Sequence, residues 1–138
     1  MIVKASAIPG SDSAYSVVAD EPDHLRRNLI SGFLADCEGN EDLVLAELDR
    51  AEAGTPVLGW GDLRVYLDMY PDGRVVIEPT ERLLEDDQQD NPPQIVITIA
   101  EARKLIFDWI EARDKWYAER EATQSHTSDD PRSISRRC

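Results

Sequence analysis

Residues 62–79, "DLRVYLDMYPDGRVVIEP", constrain the fold more than any other stretch. Leu63, Val65, Leu67 and Met69 alternate with Arg64, Tyr66, Asp68 and Tyr70. Successive side chains of a strand point to opposite faces, so this pattern reads as a half-buried strand. Pro71-Asp72-Gly73 supplies a turn, because proline presets one dihedral and glycine accepts a positive φ. The chain returns as "RVVIE", with Val75 and Ile77 on one face and Arg74, Val76 and Glu78 on the other. Pro79 closes the hairpin. Such a hairpin has one apolar face to bury, and the rest of the chain has to cover it.

Two early helices and one late helix can supply that cover. In "DEPDHLRRNLISGFLADCEGN", Leu25, Leu29, Phe33 and Cys37 recur every four residues, with Ile30 and Leu34 alongside, and Gly39 ends the run. Pro22 suits a first helical turn. "NEDLVLAELDRAEAG" reads as a second helix, with Asn40 as N-cap, Val44, Leu48 and Ala51 on one face, and Gly54 at its end. A short strand "QIVIT" is followed by Thr98 and Glu101 in capping-box spacing. The helix they open is expected to run to about Glu121, burying Ala102, Leu105, Ile106, Trp109, Ile110, Trp116 and Tyr117. Glu111 and Lys115 are placed as an i,i+4 pair. Near the N-terminus, "MIVKASAIP" and "AYSVVA" flank the turn cluster "GSDS" and read as two further strands. "GTPVLGWGD" reads as a tight loop around Trp60. The expected architecture is α+β: a largely antiparallel sheet of four to five strands with three helices, the last one long. Residues 1–121 form a single domain and 122–138 a disordered polar tail.

Charge narrows the function. The formal net charge is -13. Residues 1–60 hold 4 basic and 11 acidic residues, 61–98 hold 3 and 9, and 99–121 hold 5 and 6. The acidity therefore sits in the first two-thirds of the chain. Binding to phosphate rests on Lys and Arg, so direct nucleic-acid binding is disfavoured, as is an anionic membrane surface. Only Met1-Ile2-Val3 precede Lys4, so no secretory signal is read, and no apolar run is long enough to span a bilayer. The cysteines, Cys37 and Cys138, make no disulfide framework, and a reducing cytoplasm is the expected compartment.

No catalytic or cofactor constellation emerges. His24 lies in a first helical turn and His126 in the tail, and neither assembles with a nucleophile. "EDDQQD" lacks the alternating oxygen ligands and central glycine of a calcium loop, so no metal is expected. The glycines near Trp60 lack phosphate-loop spacing. No enzyme activity and no cofactor are expected.

Two features remain. The polar face of the hairpin gathers Tyr66, Asp68, Tyr70, Arg74, Val76 and Glu78, unless the long helix covers it. Beyond it, "TERLLEDDQQDNPP" carries Glu81, Glu85, Asp86, Asp87 and Asp90 against Arg82. An acidic surface speeds encounter with a basic protein and selects for it.

The layout over residues 40–117 resembles a family. "LVLAELDRAEAG", "DLRVYLDMY", "PDGRVVIEP", "PPQIVITIAEA" and "LIFDWIEARDKW" follow one another in the order seen in immunity proteins of contact-dependent growth inhibition and related bacterial polymorphic-toxin systems. The resemblance implies a protein that binds and neutralises one cognate toxin domain, commonly a nuclease. Interface residues in that family vary from pair to pair, so none is carried over by position. On charge and placement alone, the expected contacts are Asp62, Tyr66, Asp68, Glu78, Glu81, Glu85, Asp86 and Asp87. The alternative is an acidic nucleic-acid mimic of the anti-restriction or anti-CRISPR type.

Overall fold

A computed structural model describes residues 1–127 apart from 8, 9, 11, 62 and 89, with side chains up to residue 122. The elements run β1 (Val3–Ala7), β2 (Ala14–Val18), α1 (His24–Cys37), α2 (Glu41–Glu52), β3 (Val57–Trp60), β4 (Val65–Met69), β5 (Arg74–Pro79), β6 (Ile95–Thr98) and α3 (Ile99–Thr127). A single 3₁₀ turn, Asp86–Gln88, interrupts the acidic segment. The α+β class holds, with strands in two antiparallel sheets: β1–β2 alone, and a four-stranded sheet in the order β3-β4-β5-β6.

The central hairpin forms as its alternation requires. Val65 faces Pro79, Leu67 faces Ile77 and Met69 faces Val75 across the two strands. Tyr70 and Arg74 close the turn through a 2.9 Å backbone bond. Leu63 departs from the expected pattern: it precedes β4 and is exposed.

All three helices pack against one face of the sheet, but the α3 stripe is shorter than expected: Ile110 and Trp116 are only half-buried and Tyr117 is exposed. Leu29, Ile30, Phe33, Leu34 and Cys37 of α1, Val44, Leu48 and Ala51 of α2, and Ala102, Leu105, Ile106 and Trp109 of α3 share one core with Val65, Leu67, Val75, Ile77 and Ile97. Burying an aliphatic or Phe side chain stabilises by about 1.5–3 kcal/mol, so this core dominates the favourable side of folding. Trp109 is the largest buried side chain, and its indole N–H donates to Glu38 at 2.9 Å, so its one polar atom is satisfied. The β1–β2 hairpin joins the same core through Val3 and Val18 and packs on α1 and α3.

The helix ends are set by local chemistry. Asp23 caps α1, its carboxylate accepting from the N–H groups of Leu25 and Arg26 at 3.0 and 3.3 Å. The Thr98–Glu101 capping box at α3 forms in both directions: Glu101 N–H donates to Thr98 Oγ1 at 3.0 Å, and Thr98 N–H donates to Glu101 at 3.3 Å. Asn40 occupies the N-cap of α2 but makes no side-chain cap bond, contrary to expectation. Its φ of -126° and ψ of 18° leave the extended region from which an N-cap side chain reaches back. The acids Glu41 and Asp42 remain in the first turn, where the helix dipole favours them.

Two boundaries differ from expectation. Residues 57–60 form an edge strand where a loop is predicted, and α3 continues to Thr127, past Glu121. Residues 122–127, assigned to a tail by composition, are therefore helical. The remainder of that tail, with Cys138, lies outside the described residues. Glu111 and Lys115 line a recess beside Met1 and Ile2, and among the described residues an i,i+4 ion pair of α3 falls at Lys104–Asp108, 2.6 Å. No helix among the described residues is long and apolar enough to cross a membrane.

Candidate protein-interaction surface

Because every helix lies on one side, the other face of the four-stranded sheet is left uncovered. Its alternating positions are Tyr66 and Asp68 on β4, Arg74, Val76 and Glu78 on β5, and Val96 on β6. Tyr66 is 44 % exposed, Val96 47 %, and Leu58 of the edge strand 64 %, values that leave no room for a helix above them. Val76 is buried yet stands outside the main core cluster. It lies in register between Asp68 and Val96, so neighbouring side chains on the same face shield it.

The face divides along its length. At the turn end its polar groups are already engaged. The Arg74 guanidinium sits 4.6 Å from the centre of the Tyr70 ring and donates to Asp72 at 2.7 Å. That bond holds the Asp72 carboxyl below its ordinary range. At the other end Tyr66 lies directly opposite Glu78. An exposed aromatic ring beside a carboxylate suits a guanidinium or ammonium group, which gains from both the ring face and the charge.

Asp68 has a second role that its charge did not reveal. The register between β3 and β4 shifts between Val57 and Trp60. Gly59 sits there at φ 71°, a left-handed conformation that glycine alone adopts without strain. Its N–H, turned out of the ladder, donates to Asp68 Oδ1 at 2.8 Å. Asp68, which is half-buried, therefore holds the bulge of the edge strand.

The acidic segment docks elsewhere. Buried Thr80 anchors its start: Thr80 N–H donates to Arg64 O at 2.9 Å, and the amides of Leu83 and Leu84 donate to Thr80 O at 3.1 and 3.0 Å. Leu83 then packs over Gly32 of α1, where an added Cβ would stand 2.7 Å from Leu83 Cδ1. Glu85 and Gln88 line a recess of ≈60 Å³ with His24, Leu25 and Asn28 of α1. The segment thus lies along the flank of α1, on the helix-bearing side of the sheet.

The eight expected contacts are accordingly split. Tyr66, Asp68 and Glu78 share the outer sheet face. Glu85, Asp86 and Asp87 are exposed beside α1, and exposed Glu81 lies between the two groups, three residues after Glu78. Asp62 lies outside the described residues. Tyr66, with Leu58 and Val96, gives the outer face an apolar patch. The contribution of Leu58 was missed because residues 57–60 did not read as a strand.

Among the described residues, no three of the His, Cys, Asp and Glu side chains converge as metal ligands. His24 is exposed and tied to its own helix through Arg27 and Asn28. Searches against protein-family models, curated proteins and solved structures gave no match for this chain.

Proposed function

We propose that the protein is an immunity protein that binds a basic, nuclease-type toxin domain one-to-one and neutralises it. The observation that carries this reading is the uncovered outer sheet face, where exposed Tyr66, Leu58 and Val96 lie beside Asp68 and Glu78. Apolar and aromatic side chains give such a surface its affinity, and the carboxylates select a cationic partner. The net charge of -13 adds long-range attraction to a positively charged cleft.

The test needs a candidate toxin domain, sought in the gene next to the one that encodes this chain. Co-expression should restore growth, and the two chains should co-purify in equal amounts. Tyr66→Ala and Glu78→Arg should each reduce protection while leaving the melting temperature nearly unchanged. Absence of both protection and co-purification sinks the proposal. Protection that survives both substitutions moves the interface away from the sheet.

A further inference from the structure

The two-stranded sheet leaves one edge open, on the side of β1 away from β2. β1 pairs with β2 in unbroken register from Val3–Val18 to Ala7–Ala14. Ala19 N–H donates to Ile2 O at 2.8 Å, which fixes the parity of the ladder. Bonded pairs alternate in an antiparallel sheet, so Lys4 and Ser6 bond to β2. The N–H and C=O groups of Val3, Ala5 and Ala7 therefore point away from it. Ala14, opposite Ala7, agrees with this parity: its N–H leaves the ladder and donates to the Tyr117 hydroxyl at 3.2 Å. Among the described residues no other element bonds to the outward groups of Val3, Ala5 and Ala7. Unlike β3, β1 has no bulge to spoil its edge, and Ala5, Ser6 and Ala7 are small.

Two recesses run along this edge, between β1 and α3. One, of ≈340 Å³, is lined by Ile2 and Val3 with Lys104, Asp108, Glu111 and Lys115. The other, of ≈310 Å³, is lined by Lys4 and Ala5 with Ala112, Lys115, Trp116 and Glu119. No residue of β2 lines either one, so both open on the free side of β1. The chain has three lysines, Lys4, Lys104 and Lys115, and all of them stand here. Lys104 is held by Asp108 at 2.6 Å. Lys4 and Lys115 form no ion pair among the described residues. Against these two the second recess sets Glu119, a local balance of 2 − 1 = +1 in a chain whose net charge is -13.

The geometry points to the β1 edge as a docking site for an extended, acidic segment of a partner protein, added to β1 as a third strand. A row of outward N–H and C=O groups at strand spacing is met by another extended backbone, and the recesses beside it select the side chains. Alternate residues of the added strand would lie over Ala112 and Trp116, where apolar groups fit. Carboxylates of the same segment would meet Lys4 and Lys115. A second copy of this chain suits the edge less well. It would bring the same two lysines to the seam from both sides, along with another net charge of -13. The inference does not rest on the toxin reading, because β1 shares no residue with the outer sheet face.

The test titrates a short blocked peptide of alternating valine and glutamate into the full chain, labelled with ¹⁵N, at low salt. Amide shifts are expected at Val3, Ala5 and Ala7 and along α3 from Ala112 to Trp116. Lys4→Glu and Lys115→Glu, both at exposed positions, should each weaken binding about tenfold. Ala5→Pro removes an N–H that the β2 ladder does not use, so the fold should persist while binding is lost. The same peptide methylated at its backbone nitrogens should not bind, which separates strand addition from charge attraction alone. Tyr66→Ala should leave the affinity unchanged, so a failure here is distinct from a failure of the toxin reading. The inference is overturned if no shift appears at about 1 mM peptide, or if shifts are confined to other surfaces. It is equally overturned by undiminished binding of the methylated peptide, by equal affinity for a peptide with lysine in place of glutamate, or by a dimer in sedimentation that Ala5→Pro dissolves.

Discussion

Asp36 of α1 grips Arg64 by both main chain and side chain. Its carboxylate accepts from Arg64 N–H at 2.8 Å, from the adjacent Val65 N–H at 3.0 Å, and from the Arg64 guanidinium at 3.1 Å. Asp36 is buried, whereas the Arg64 side chain is 45 % exposed. The main-chain bonds are therefore the stronger part of the clamp, since they alone would be left unmade in a buried place. Asp36→Ala should cost about 3 kcal/mol in urea unfolding, and Arg64→Ala below about 1 kcal/mol. Equal losses would show that the ion pair, not the clamp on the start of β4, is what matters.

Gly32 lets the acidic segment close on α1. In Gly32→Ala the new methyl meets Leu83 Cδ1 at 2.7 Å and Val65 Cγ1 at 3.2 Å. Alanine gains about 1 kcal/mol of helix propensity, and overpacking costs about 1–3 kcal/mol. Leu83 can rotate away more easily than Val65, which is fixed in a strand. Global stability should thus change by about 1 kcal/mol or less, while the amides of Leu83 and Leu84 exchange faster with solvent. Unchanged exchange at both amides would contradict the pinning role of Leu83.

Cys37 should be silent to thiol reagents in the folded protein. Burial, followed by the charges of Asp36 and Glu41, pushes its pKa far above the ordinary thiol value. The folded state thus keeps its proton where the unfolded thiol loses it, from about pH 8.5 upward. Stability falls as pH rises through that value and on towards the folded pKa. Cys37→Ala should flatten this alkaline slope. Rapid labelling of Cys37 without unfolding would refute the assignment.

The acid side has the opposite sign. The hydrogen bond from Arg103 holds the Glu52 carboxyl below its ordinary range. A depressed folded pKa contributes stability that is present above the unfolded value, about 4.3, and is lost as pH falls through the folded value. Wild type should exceed Glu52→Gln in melting temperature at neutral pH, by a small margin because the pair is exposed. The two curves should converge in acid. A gap that persists at low pH would mean that the loss is not electrostatic.

Association with a basic partner should depend on salt mainly through its on-rate. The Debye length falls from about 30 Å at 0.01 M to about 10 Å at 0.1 M ionic strength, which screens the acidic face. Stopped-flow association with the proposed toxin partner should therefore slow steeply over that range, with the off-rate nearly constant. An on-rate insensitive to salt would remove electrostatic steering from the account.

What the sequence revealed depended on how local the determining physics is. The central hairpin, the α1 stripe and the Thr98–Glu101 box were legible because each is decided within a few residues. The edge strand Val57–Trp60 was not, because it exists only through pairing with β4 across a bulge that Asp68 completes from outside. The acidic segment looked like a flank of the hairpin face. Its true position follows from Leu83 over Gly32, a contact between residues that sequence spacing does not connect.

The bulge at Gly59 also bears on how the protein behaves when concentrated. An exposed sheet edge is a template on which another chain can add a strand, and long regular edges are the starting points of fibrils. On the β3 side the left-handed Gly59 and the Asp68 carboxylate break the even spacing of donors and acceptors that such growth requires. On the β6 side the edge is only four residues long, and the Thr98 N–H at its end is already taken by Glu101. The sheet thus keeps a broad open face while both of its sides are poor seeds for stacking.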